Sequence, residues 1–221
     1  MTNRRFVYLH GFASSPGSKK AAAFARRLGR RGIRLETPDL AGGDFRSMTI
    51  SRQLDILART LRGEPAVLIG SSLGGYVAAL YAARHPEIER LVLLAPAFAV
   101  ARRWEEMLGA EALAEWRRRG ERRFFHYAAG RQEPLAYGFY EDACRWEDFP
   151  LAAQPALVCH GVRDEVVPAE LAREFVRRNP GAELRLFDAG HDLQDAIEPV
   201  WQAAEAFLEL EKPGHKHNRL D

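Results

Sequence analysis

Short apolar runs alternate with amphipathic segments along most of this chain, and that rhythm constrains its fold more than any other feature. "RRFVYLHG", "IRLETPDL", "PAVLIGS", "ERLVLLAP", "QPALVCHG" and "AELRLFDAG" read as strands. "PGSKKAAAFARRLGRRG", "SMTISRQLDILARTLRG", "LGGYVAALYAARHP", "PAELAREFVRRN" and "AIEPVWQAAEAFLEL" read as the helices between or after them. Ser15 or Ser18 is placed to cap the first helix, and Gly32 falls past its end. Ile50, Leu54, Leu57 and Leu61 share one face of the second, which stops at Gly63. Continuous apolar strands joined by helices predict a parallel sheet covered on both faces.

The rhythm breaks between about 99 and 150. That stretch is charged and aromatic, shows no clear strand, and reads as two or three helices with loops. It is expected to be a helical lid inserted into a single domain over 1–211, with 212–221 as a flexible tail. The chain of 221 residues is long enough for one sizeable core with such an insertion. Trp104, Trp116, Phe124, Phe125, Tyr127, Tyr137, Phe139, Tyr140 and Trp146 crowd the insertion. Most should fix the lid to the core, and at least one or two should face a pocket. Arg102, Arg103 and Arg131 are candidates to meet a carboxylate or phosphate there.

A net charge of +2 gives no argument for nucleic acid or an anionic membrane surface. The arginine-rich "RRLGRRGIR" and "WRRRGERRFF" are interleaved with other residues and read as solvated faces. No run reaches the roughly 20 apolar residues of a membrane span. The N-terminus shows no signal-peptide pattern, and Cys144 and Cys159 make no disulfide framework, so a reducing cytoplasm is the expected compartment. His215 and His217 in the tail carry little weight as metal ligands.

"LIGSSLGGYVAA" contains two adjacent serines, but G-x-S-x-G fits one register only: Gly70, Ser72, Gly74. Centring on Ser71 would need glycine where Ile69 stands. The motif closes an apolar run and opens a helix, as a nucleophile elbow requires. Such an elbow holds its serine in a strained backbone conformation, so its neighbours must be small, and Gly70, Gly74 and Gly75 are.

A serine hydroxyl needs a base, and the base needs an orienting carboxylate. On a sheet with such an elbow they follow the serine in the order acid, then histidine. His191 in "FDAGHDL" lies just past the last strand. His10 and His160 each precede a glycine at a strand end and read as structural, while His85 closes a helix and His126 lies in the insertion. Asp164 in "HGVRDEVVP" is the expected acid, with Glu165 as the nearest alternative; Asp188 and Asp192 read as caps. An oxyanion hole would use the Leu73 amide and, from "HGFASSPGS", the Phe12 amide, with Gly11 allowing close approach.

The same first loop imitates a phosphate-binding loop. The required G-x-x-x-x-G-K-[ST] fails on both spacing and order, since Phe12 stands for the first glycine and Ser18 for the lysine.

"YLHGFASSPGSKK", "LIGSSLGGYVAA", "HGVRDEVVP" and "AGHD" together resemble the α/β-hydrolase superfamily, in particular small YqiA-like esterases. The resemblance covers about residues 5 to 210 apart from the insertion. It implies a three-layer α/β fold with six strands in the order 2-1-3-4-5-6 and an acyl-transfer site at Ser72, Asp164 and His191. The implied activity is hydrolysis of small or medium acyl esters, with no metal or organic cofactor. A thioesterase acting on acyl-coenzyme A or acylated protein uses the same residues. A non-catalytic binding protein on this fold would show a closed pocket or a displaced His191. A peptidase would need room for a chain.

Overall fold

The computed structural model describes residues 4–210, so the tail at 212–221, with His215 and His217, lies outside the described residues. Six strands form one parallel sheet: β1 (Arg5–Leu9), β2 (Leu35–Glu36), β3 (Ala66–Ser71), β4 (Ile88–Leu94), and, after the insertion, β7 (Ala156–Gly161) and β8 (Ala182–Phe187). Their spatial order is β2-β1-β3-β4-β7-β8, which is the expected 2-1-3-4-5-6 counted along this sheet. β3 and β7 are buried at every position, as strands covered on both faces must be.

Side chains along β1 alternate between two cores. Val7 and Leu9 join Leu57 and Leu61 of α2 (Ile50–Leu61), Val77 and Leu80 of α3 (Leu73–Ala82), and Phe175 of α6 (Ala169–Arg178). Phe6 and Tyr8 turn the other way, to Phe24 of α1 (Lys19–Gly29) and Trp201 of α7 (Ile197–Phe207). α3 has a buried residue at every position and so passes through the core.

Local signals account for the starts of the first two helices. Ser18, not Ser15, caps α1 by accepting from the Ala21 amide, and Thr49 caps α2 by accepting from the Arg52 amide. α2 stops one residue earlier than the glycine implied: Arg62 itself takes the left-handed conformation at φ 56°. β2 is far shorter than "IRLETPDL" suggested. It is an edge strand of two residues, and Pro38 just beyond it has no N–H for a ladder.

The insertion departs from expectation in kind. It begins with α4 (Val100–Arg119), which is broken at Gly109 by φ 76° and ψ 161°. It then forms an antiparallel hairpin, β5 (Glu121–His126) and β6 (Arg131–Ala136), before α5 (Gly138–Ala143). The lid is therefore helix–hairpin–helix rather than all helical. The hairpin is held from outside its own ladder: the Tyr127 amide donates to Ala13 O at 2.9 Å and the Ala136 amide to Arg46 O at 2.8 Å. Among the lid aromatics, Trp116 is buried with Nε1 donating to Leu135 O at 3.0 Å, whereas Phe125 and Tyr127 are exposed. No described helix is long and apolar enough to cross a membrane.

Candidate active site

The turn between β3 and α3 follows from sterics. A Cβ on Gly70 would stand 2.4 Å from Gly74 O, and one on Gly74 would stand 2.2 Å from Leu9 O. Only glycine allows strand and helix to approach this closely. Between them Ser72 sits at φ 53° and ψ −120°, a conformation an L-residue adopts only when its surroundings hold it there. They do so through the backbone. The Ser72 amide donates to Leu94 O at 2.9 Å, and Ser72 O accepts from Gly75 N at 2.9 Å and Ala97 N at 3.0 Å. Ser71 instead ends β3 with its side chain buried.

His191 lies in the loop after β8, and Asp164 in the loop after β7. Gly161 lets these two loops cross, since a Cβ there would meet Ala189 O at 2.2 Å. The loops are tied by Val162 N to Phe187 O at 2.9 Å, Arg163 N to Ala189 O at 3.0 Å, and an Arg163–Asp188 ion pair at 2.6 Å. As a result His191 Nε2 stands 3.0 Å from Ser72 Oγ, and His191 Nδ1 stands 2.8 Å from Asp164 Oδ2. With the proton on Nδ1 directed at the carboxylate, Nε2 is left to accept from the serine hydroxyl.

The Asp164 side chain is fully covered. Its Oδ1 accepts from the Val166 and Val167 amides at 2.9 and 2.8 Å. Its Oδ2 is shared: His160 Nε2 lies 3.1 Å away, and also 2.8 Å from Val167 O. Both neighbours are acceptors, so His160 Nε2 carries a proton. Burial alone would raise the Asp164 carboxyl, but the hydrogen bonds from His160, His191 and the Val167 amide outweigh it and hold the group well below the usual carboxylate range. A carboxyl lowered on folding stabilises the fold above its unfolded value and loses that contribution as pH falls toward the folded one. Stability to urea is therefore expected to fall more steeply in wild type than in Asp164→Asn as pH drops below about 4. Parallel slopes would show that Asp164 is not held this way.

The sequence marks His160 as structural. It is buried as expected, but it also braces the acid. The signal available was its place four residues before Asp164 in "HGVRDEVVP". The other acids stand apart: Glu165 is exposed, Asp188 pairs with Arg163, and Asp192 accepts from the Gln194 amide at 3.1 Å.

The Phe12 and Leu73 amides have no backbone carbonyl partner among the described residues. Gly11 presses the first loop against the serine, since a Cβ on it would lie 3.2 Å from Ser72 Cβ. His10 fixes that loop from behind, with Nδ1 3.0 Å from Gly11 O and Nε2 accepting from the Leu40 amide at 3.1 Å.

Ser72 opens into a cavity of about 580 Å³. Its walls include Leu73, Ala97, Val100 and Val167, with Trp104, Phe124 and Phe139 supplied by the lid. The Phe12 ring packs on those three aromatics at centroid distances of 5.2, 5.6 and 5.9 Å. Three of the insertion's aromatics thus face the cavity, in keeping with the expectation of at least one or two.

A parallel six-stranded sheet in this strand order, flanked by helices, is the α/β-hydrolase fold, and solved structures agree on it. Est1E from Butyrivibrio proteoclasticus with ferulic acid bound matches with a TM-score of 0.79 at 22% identity, covering 94% of this chain and 89% of that one. Alpha/beta hydrolase domain-containing protein 10 from mouse matches at 0.77 and 20% identity, covering 93% and 90%. A monoacylglycerol lipase from Paleococcus ferrophilus matches at 0.67 and 17% identity, covering 93% and 94%. Within this superfamily the chain belongs to the uncharacterised protein family UPF0227, whose family model matches residues 5–209. No curated protein matches it.

Proposed function

We propose that this protein is a serine hydrolase that cleaves carboxylic esters of small or medium acyl groups. The observation that carries the reading is the continuous line from Asp164 through His191 to Ser72 Oγ, ending in an apolar-walled cavity. Est1E, solved with ferulic acid bound, and a monoacylglycerol lipase among proteins of the same fold support the reaction class.

In the proposed reaction His191 Nε2 takes the proton of Ser72 Oγ as that oxygen bonds to the ester carbonyl carbon. Asp164 holds the imidazole in orientation and stabilises its cation. The Phe12 and Leu73 amides receive the carbonyl oxygen as it becomes an oxyanion, aided by the positive end of α3. The C–O bond to the alcohol breaks, and the alcohol leaves with the proton held by His191. Water then gives a proton to His191 as it attacks the acyl-enzyme carbonyl, and His191 returns that proton to Ser72 Oγ as the Oγ–C bond breaks and the acid is released. A thioester enters the same sequence with a thiol as leaving group.

A fluorophosphonate probe tests this directly. One adduct, mapped by peptide mass spectrometry to Ser72, is expected. Absence of labelling on folded protein, or labelling elsewhere, would favour a hydrolase-like binding protein. The same preparation assayed on butyryl esters and on butyryl-coenzyme A separates esterase from thioesterase.

A further inference from the structure

Of the three arginines that the sequence offered to an anion, two are already occupied. Arg102 pairs with Asp148 at 3.5 Å and Arg131 with Glu133 at 2.5 Å. Arg103 differs. It is half-buried and lines the same cavity as Ser72. Among the described residues no carboxylate lies within ion-pair distance of it, and its side-chain partner is a single backbone oxygen, Val166 O.

Its position follows from the helix. Val100, Arg103, Trp104 and Met107 recur at i, i+3, i+4 and i+7 of α4, and all four line the cavity. Arg103 is the one basic residue in that lining. Glu106 and Glu165 also border it, but both are exposed, so solvent screens them more than it screens the guanidinium. Burial acts on Arg103 to lower its affinity for a proton, with Asp164 and Glu106 opposing, yet a guanidinium remains charged in proteins. A covered charge without a counter-ion is costly. An arginine has five N–H donors in a planar fork that matches a carboxylate or phosphate, and most of these are unused.

We infer that Arg103 determines specificity in this cavity by selecting esters that carry an anionic oxygen group, carboxylate or phosphate, beyond the scissile carbonyl. This rests on the serine-hydrolase reading and narrows its substrate class. The apolar walls hold the carbon chain while the guanidinium holds its charged end.

The test compares wild type with Arg103→Gln and Arg103→Lys on matched esters. On the acid side the pair is p-nitrophenyl butyrate and mono-p-nitrophenyl glutarate. On the alcohol side, phenyl butyrate is compared with its 4-carboxy and 4-phosphonooxy derivatives, so the arms separate carboxylate from phosphate and acid from alcohol. The readout is the anionic-to-neutral ratio of kcat/KM, which divides out general damage to the lid. In at least one arm the Gln variant is expected to lower that ratio tenfold or more, the scale of a charge-assisted hydrogen bond. Lysine, with charge but no fork, should recover part of it. Ratios that shift less than twofold in every arm, while neutral esters are still hydrolysed through Ser72, would overturn the inference alone. If wild type hydrolyses none of these esters, the hydrolase reading fails instead. Calorimetric titration with glutarate and with phenyl phosphate then judges Arg103 by itself: binding at least tenfold weaker in the Gln variant supports it, and equal or absent binding overturns it.

Discussion

Ser72→Ala is expected to lower kcat/KM for p-nitrophenyl butyrate by about 10⁴-fold or more, while Ser71→Ala keeps most of the activity. Loss of the nucleophile in a coupled serine–histidine–acid unit removes nearly all of its catalysis, leaving what binding and oxyanion donors supply. The neighbour makes a stringent control. Ser71 is one peptide away and has the same hydroxyl, but its side chain is buried at the end of β3. Ser72 alone stands at φ 53° with Oγ 3.0 Å from His191 Nε2. Circular dichroism would check that both variants fold. Equal loss in two folded variants, or full activity in Ser72→Ala, would remove the assigned nucleophile.

Gly74→Ala is the second large effect, and it concerns stability before chemistry. The added methyl carbon would lie 2.2 Å from Leu9 O, 2.5 Å from Leu9 C and 2.6 Å from His10 O. All three are backbone atoms of β1 and the first loop, so no rotamer change relieves the overlap. The strand must move or the helix must tilt, and either disturbs β1–β3 pairing and the approach of Gly11 to Ser72. A loss of about 3 kcal/mol or more is expected, at the severe end for overpacking. Gly17→Ala supplies the comparison, because the nearest atom to its Cβ would be Ser15 Oγ at 3.8 Å. Urea midpoints measured side by side should separate the two clearly. A Gly74→Ala protein as stable as wild type would mean that strand and helix do not meet as described.

These two predictions rest on the part of the molecule most legible from sequence. Glycines at 70, 74 and 75 between an apolar strand and a helix point to a tight turn, because a Cβ there would exclude so close an approach of strand and helix. The βα rhythm gave parallel strands joined through crossover helices of one hand, whereas their spatial order was implied by the resemblance to the α/β-hydrolase superfamily. His191 and Asp164 were accessible for a related reason: loops at one edge of such a sheet converge, so position after a strand already implies nearness.

The hairpin β5–β6 was not legible. "ERRFFH" and "RQEPLA" mix charges, a proline and few apolar residues, with no alternation strong enough to mark a strand. Their register is stabilised by partners far away in sequence, Ala13 and Arg46, and by aromatic packing with Phe12 and Trp104. The bracing role of His160, and which of the three candidate arginines lines the cavity, were not legible for the same reason. Whether a histidine before a glycine is merely buried or braces an acid depends on how the loop after β7 folds back on it. Whether one of three arginines lines a cavity depends on which of them meet Asp148 and Glu133. By itself the sequence determined the layers, the elbow and the identity of the residues brought to it, because these follow from local sterics and from chain connectivity. The tertiary structure decided the shape of the lid, the bracing of Asp164 and the charge left open in the cavity, because those are contacts between segments whose own sequences carry no record of their partners.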